Sequence, residues 1–116
     1  MRELQSQGKG IRMAVVTVTP GNCGFKARVE ARADKEGNVR VSVQSKCPRV
    51  RDYAAAISAL SATCAAGWKC AEFFVYQPAA QANLHPACPV PVAVLKALEV
   101  ASGLALPQDV VIHFEE

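Results

Sequence analysis

A strict alternation of apolar and charged residues, running from Phe25 to Ala33, constrains the fold more than any other feature of this chain. A period of two residues is typical of a β-strand with one buried face. Turn-forming residues follow at 34–38, and a second alternating segment runs from Val39 to Gln44. The sequence therefore predicts a β-hairpin with one apolar face and one charged face.

The hairpin brings two cysteines to one end of the sheet. In an antiparallel pair, the start of one strand lies beside the end of its partner. Cys23 lies in a turn segment before the first strand of the hairpin, and Cys47 follows the second strand. With the turn centred near residues 36 and 37, Cys47 falls opposite Phe25 or Lys26. Two or three residues then separate this position from Cys23, a gap that a curled loop can close.

Helices are predicted in the second half of the chain. One begins at Cys47-Pro48, with proline at the first helical position, and ends near Gly67. Another spans residues 91–102, and Pro78 to Leu84 predicts a short helix. The stretch 68–77 is apolar without a clear period, so it stays unassigned.

Strands are predicted on both sides of these segments. β-branched residues predict a first strand at 13–19, and alternation predicts a last strand at 109–114. The elements together predict an α+β domain, residues 13–116, in the order β-β-β-α-(short α)-α-β. A mainly antiparallel sheet of about four strands is covered on one face by two main helices. Residues 1–12 are polar and contain glycine, which predicts a flexible extension.

Charge and hydropathy argue against nucleic-acid and membrane partners. The 116 residues carry a net charge of +3, with both signs interspersed. The outward face of the hairpin carries Lys26, Arg28, Arg32 and Arg40, but it lacks the aromatic residues that stack on RNA bases. No run approaches the roughly 18 apolar residues that span a bilayer, and the start of the chain lacks a signal-peptide pattern. We therefore expect a cytoplasmic protein.

Five cysteines, with no Cys-x-x-Cys pair among them, indicate thiols or metal ligands. Cys47 and Cys88 each precede a proline at the predicted start of a helix, where backbone N–H groups favour a thiolate. If both helices cover the same face of the sheet, these sulfurs converge with Cys23 and with His85. The sequence thus predicts a metal site formed by Cys23, Cys47, His85 and Cys88, which binds zinc or, alternatively, an iron–sulfur cluster.

Other interpretations of these residues stay open. Cys23 and Cys47 are also explained as buried or capping cysteines, and His85 as a cap of the short helix. Cys88 is alternatively a persulfide carrier or redox nucleophile with His85 as its base. A further alternative is an interaction module that binds no metal and in which the cysteines are incidental.

Two more cysteines and a histidine lie outside this set. Cys64 follows the core period of its predicted helix, which favours a buried structural role. Cys70 falls in the unassigned stretch, and His113 is expected on the solvated face of the last strand. None of the three is predicted to be a ligand.

The segments Pro20–Phe25, Ser45–Cys47 and His85–Pro107 resemble an uncharacterised family of small proteins from anaerobic bacteria and archaea. The resemblance spans about residues 13–115. It implies that the four predicted ligands belong to the family pattern, whereas Cys64 and Cys70 are peculiar to this chain.

A second likeness is local. Cys88-Pro89-Val90-Pro91, followed by a helix, a glycine and a predicted strand, resembles the Cys-Pro-x-Pro element of TusA-like sulfur carriers. That resemblance implies a cysteine that accepts a persulfide. The element lies near the end of this chain instead of near its start, and the other strands do not follow that family's order.

Overall fold

The predicted hairpin forms the centre of an α+β fold in the structure, a computed structural model that describes residues 12–36, 38–60 and 72–116. Three antiparallel strands lie side by side in chain order: β1 (Arg12–Val18), β2 (Ala27–Ala33) and β3 (Val39–Ser45). β2 is the central strand, and its Val29 pairs with Val16 on one side and with Val43 on the other.

The hairpin turn is fixed by one aspartate. The Asp34 carboxylate accepts hydrogen bonds from the backbone N–H groups of Glu36 and Asn38, at 3.0 and 2.9 Å. The Asp34 N–H donates to the Asn38 carbonyl at 2.9 Å. Because the turn sets the register, the alternating residues fall on the predicted faces: Val29 and Ala31 are fully buried, while their neighbours point outward.

Two main helices cover the same face of the sheet, as predicted. Helix α1 (Pro48–Leu60) packs on β3, and helix α3 (Val90–Ala101) packs on β1 and β2. Between them lie a π-helical turn (Glu72–Tyr76) and the short helix α2 (Gln77–Gln81). The largest fully buried side chains come from both layers: Val29, Val39, Tyr53, Ile57, Val75, Val90 and Val94.

The predicted last strand is wrong, since the sheet of the described residues has three strands instead of four. The segment 109–114 lies alongside neither sheet edge, and its apolar residues are exposed, Ile112 by 85% and Phe114 by 90%. A strand needs an edge on which to pair. In the structure the segment follows Pro107 without joining the sheet, so its alternating residues find no strand to pair with among the described residues.

Smaller differences concern the ends of the helices. α3 begins at Val90 and ends at Ala101, one residue before each predicted bound. α2 ends at Gln81, three residues before the predicted end. The π-helical turn lies within the stretch 68–77, whose sequence has no clear period. Of the predicted extension, residues 1–12, the structure describes only Arg12, which is the first residue of β1. The predictions for Cys64, Gly67 and Cys70 lie outside the described residues. In the described part, no helix is long and apolar enough to cross a membrane.

Candidate functional site

Three separate segments meet at one cavity of about 460 Å³. All four predicted ligands line it: Cys23, Cys47, His85 and Cys88. The rest of the lining is mostly apolar, with Pro20, Phe25, Leu84 and Val90 among its residues, and Arg49 adds a positive charge. The long-range convergence on which the sequence interpretation depended is therefore present at the level of the fold.

Cys23 is carried by a tight turn before β2. The Gly24 N–H donates to the Gly21 carbonyl at 3.0 Å, which closes the turn over Asn22 and Cys23. Both glycines have positive φ, +91° at Gly21 and +74° at Gly24, a region that other residues rarely adopt. The loop therefore curls as expected, and it leaves Cys23 exposed at the mouth of the cavity.

Cys47 is held between β3 and α1 by Ser45. The Ser45 hydroxyl donates to the Lys26 carbonyl at 2.8 Å and accepts the Cys47 N–H at 3.2 Å. The Cys47 carbonyl accepts the N–H of Arg51 at 3.0 Å, the first bond of the helix. At this end of the sheet, Ala27, the first residue of β2, lies opposite Ser45, the last residue of β3. Continuing that register sets Cys47 opposite residue 25, as predicted.

His85 and Cys88 are joined by a β-turn. The Cys88 N–H donates to the His85 carbonyl at 3.0 Å, so the two residues lie side by side at the ends of the turn. Cys88 is half-buried, and His85 is exposed.

Helix α2 is capped by its own backbone, so the alternative role of His85 as its cap is not needed. The N–H groups of Asn83 and Leu84 donate to the carbonyls of Ala80 and Ala79, and Asn83 has a φ of +60°. This backbone pattern is a Schellman motif, which caps α2 without an imidazole. The cap turns the chain at Asn83, so that the next two residues reach the cavity.

The electrostatics of Cys88 differ from the sequence prediction. Burial raises the pKa of the Cys88 thiol, and this effect outweighs the hydrogen bond that the sulfur accepts from the Val90 N–H. The nearby sulfurs of Cys23 and Cys47 raise the pKa further, since a thiolate at Cys88 would be repelled by theirs. The prediction that a helix start makes Cys88 more acidic is therefore wrong in its net direction.

The predicted ligands line one cavity, but as placed their side chains do not form a metal site. Across residues 12–36, 38–60 and 72–116, no three Cys, His, Asp or Glu side chains form a group that could hold a metal ion as they are placed. The four predicted ligands surround the cavity instead of meeting at one point in it.

Tyr53 is a polar group near the site, although helical spacing places it on the apolar face of α1. Its side chain is fully buried in α1, and its hydroxyl has no hydrogen-bond partner among the described residues. Burial raises the pKa of Tyr53 well above its usual range, and the nearby Tyr76 and Cys88 add to this effect. A phenol at a core position was the only signal available, and it did not point to Cys88.

One comparison with known proteins gave a match. The model of a family of unknown function (DUF6951) matches residues 14–114. No curated protein and no solved structure matches the chain.

Proposed function

This chain belongs to the DUF6951 family of unknown function, and we propose that it is a metal-binding protein whose ligands are Cys23, Cys47, His85 and Cys88. One observation carries the proposal: the four predicted ligands, from three segments that are distant in sequence, line a single cavity. Three sulfurs and one imidazole nitrogen are a common donor set for zinc.

The charge of the site supports a cation. The pKa of Cys88 is raised in part by Cys23 and Cys47, so thiolates at these positions repel one another. A bound metal ion replaces this repulsion by attraction and removes the thiol protons. The N-termini of α1 and α3 and the guanidinium of Arg49 also lie at the cavity, and their positive potential offsets the excess negative charge of three thiolates.

Binding requires a rearrangement of side chains. Cys47 and Cys88 are half-buried and fixed beside helix starts, whereas Cys23 and His85 are exposed on turns. Exposed side chains change rotamer within nanoseconds, so these two are the ligands that would swing toward the sulfurs. The resulting site would be assembled by the metal, with all four ligands supplied by protein and no open position for catalysis.

Zinc is the metal that we propose first, with an iron–sulfur cluster as the alternative. A zinc ion with four protein ligands would be structural or regulatory. The cavity, at about 460 Å³, is larger than a single ion needs, and its apolar lining suits a cluster held by thiolates. The anaerobic sources implied by the sequence resemblance would also preserve such a cluster.

A reducing location is part of the proposal. Cys23, Cys47 and Cys88 are free thiols although they share one cavity. Thiols persist in the cytosol, whereas disulfides form in oxidising compartments. We therefore infer that the protein works in the cytoplasm.

Anaerobic purification followed by elemental analysis and an absorption spectrum tests the proposal. Stoichiometric zinc, or iron and sulfide with a visible chromophore, is the expected result. Cys47→Ser and Cys88→Ser should each abolish the metal content, while Cys70→Ser, outside the predicted set, serves as the matched control and should retain it. Metal-free wild-type protein that takes up neither zinc nor iron and sulfide would overturn the proposal.

A persulfide or redox role of Cys88 is the second candidate. The observation in its favour is the hydrogen bond from Val90 to the sulfur, which places Cys88 at the start of α3 with His85 one turn away. Its raised pKa counts against a thiolate nucleophile at neutral pH. Mass spectrometry of metal-free protein treated with sulfide and a mild oxidant distinguishes the two, since a carrier gains one sulfur atom at Cys88.

A further inference from the structure

The segment that follows α3 has the pattern of a strand but pairs with no strand in the described part of the chain. Residues 106–116 are all exposed, and they make no backbone hydrogen bond with the described residues. Val110, Ile112 and Phe114 alternate with Val111 and His113, and the first three would all lie on one face of a strand. Large apolar side chains with exposures of 57%, 85% and 90% are a surface that a soluble monomer rarely leaves uncovered.

The sheet offers a matching free edge at β1. Its seven residues, Arg12–Val18, pair only with β2 among the described residues, so the other row of backbone N–H and C=O groups is open. Val16 on the covered face is only partly buried, whereas its register partner Val29 is 0% exposed. Among the described residues, no side chain covers Val16 from beyond β1, and one further strand with apolar alternate residues would do so.

We propose that the segment Asp109–Phe114 of one copy of this chain adds as a fourth strand to the β1 edge of a second copy, in a reciprocal exchange that forms a dimer. Strand addition satisfies the open backbone groups of β1. It also places Val110, Ile112 and Phe114 in the covered layer beside Val16. A two-fold exchange closes, because each copy donates one strand and receives one.

The connection after α3 favours a second copy over the segment's own sheet. α3 ends in a Schellman motif at Gly103, where an added Cβ would meet the guanidinium of Arg12 at the start of β1. Only residues 104–108 then connect to the segment, and Pro107 holds this short connection extended. In the structure the segment leaves the adjacent edge unpaired among the described residues, and a short hinge connection is a common setting for exchange between copies.

Charge complementarity supports the same arrangement. The segment and the residues after it are acidic, with Asp109, Glu115 and Glu116. The open face of the sheet has a basic surplus, since Arg28 and Arg32 share the single carboxylate of Glu30. The guanidinium of Arg32 already reaches over β1 and contacts the Met13 sulfur at 3.3 Å. It therefore lies within reach of a carboxylate on a strand added at that edge.

Sedimentation of the full chain over a range of concentrations tests the proposal. We expect a dimer of twice the 12.3 kDa chain mass. Ile112→Lys puts a charge into the covered layer and should give a monomer. Val111→Lys, on the opposite face of the strand, is the matched control and should stay dimeric. Both side chains are at least 80% exposed in the isolated chain, so neither substitution threatens the fold of one copy.

Photo-crosslinking identifies the acceptor edge. A benzophenone side chain in place of Phe114 should yield a product of twice the chain mass, with the crosslink mapped to Arg12–Val18 of the other copy. A wild-type monomer would overturn the proposal. So would a dimer that survives Ile112→Lys, or a crosslink confined to one chain, which would instead indicate pairing within the copy. None of these outcomes depends on metal binding, so this proposal and the proposed function fail separately.

Discussion

The sulfur of Cys88 accepts a hydrogen bond from the backbone N–H of Val90, the first residue of α3. This contact stabilises a thiolate, yet burial and the neighbouring cysteines disfavour one more strongly. The metal-free site therefore holds Cys88 as a neutral thiol at physiological pH, and loss of its proton is coupled to whatever cation binds there.

Alkylation of metal-free protein with iodoacetamide should show this balance. The pH midpoint for Cys88 is expected above that of an unfolded-peptide thiol. Cys23→Ser should lower the midpoint, because it removes a like charge. Mass spectrometry of peptides resolves the individual cysteines. A Cys88 midpoint below that of the peptide would contradict the burial argument.

The same raised pKa predicts how stability varies with pH. A group whose pKa is raised by folding contributes stability that is fully present below its unfolded pKa and is lost as pH rises through the folded pKa. The free energy of unfolding of metal-free protein should thus fall as pH rises through the thiol range. Cys88→Ala should flatten this slope, which urea denaturation at a series of pH values measures.

Removal of the Tyr53 hydroxyl should stabilise the protein. A buried donor without a partner costs about 1 to 3 kcal/mol, so Tyr53→Phe is expected to raise the free energy of unfolding by about 1 kcal/mol. Tyr76→Phe, at a side chain that is 45% exposed, is the control and should change it by less than about 0.5 kcal/mol. Urea denaturation measures both. Destabilisation by Tyr53→Phe would show that the hydroxyl has a partner beyond the described residues.

The hairpin and the meeting of the cysteines were predictable because both follow from local periodicity. A period of two residues assigns each side chain to a face, and the turn at Asp34 fixes the register that sets Cys47 opposite residue 25. Prolines mark the starts of α1 and α3 in the same way. Because both helices cover the same face of the sheet, their first residues, Pro48 and Val90, lie at the same cavity.

The remaining features depend on long-range packing, which local patterns do not encode. Alternation at 109–114 indicates that the segment can be a strand, but pairing also depends on how the segment packs against the sheet, and in the structure it stays unpaired among the described residues. The net direction of the Cys88 pKa depends on how deeply α3 buries the sulfur. The orientation of Cys23 and His85 around the cavity is likewise a matter of side-chain rotamers.

Gly103→Ala should destabilise the protein by two separable effects. Gly103 has a φ of +79°, which costs other residues about 1 to 2 kcal/mol, and an added Cβ would meet the Arg12 guanidinium. Gly21→Ala is the matched control, because its φ is +91° and nothing lies near the added carbon. A double-mutant cycle with Arg12→Ala measures the collision by itself. Equal losses for the two glycines would mean that Arg12 simply moves aside.

Ser45 should position Cys47 for metal binding as well as stabilise the fold. Its hydroxyl joins the Lys26 carbonyl on β2 to the Cys47 N–H at the start of α1, so one side chain links both elements to the site. Ser45→Ala should lower the free energy of unfolding by about 1 kcal/mol, the usual net value of such a bond. It should also weaken zinc binding, measured by competition with a chelating dye, because the Cys47 N–H loses its hydrogen bond to Ser45.

Two further variants serve as controls. Ser45→Thr keeps the hydroxyl and should restore both properties, whereas Ser42→Ala, on the open face of the same strand, should change neither. If Ser45→Ala lowers stability but leaves zinc affinity intact, the serine supports the sheet alone, and the metal site forms without its help.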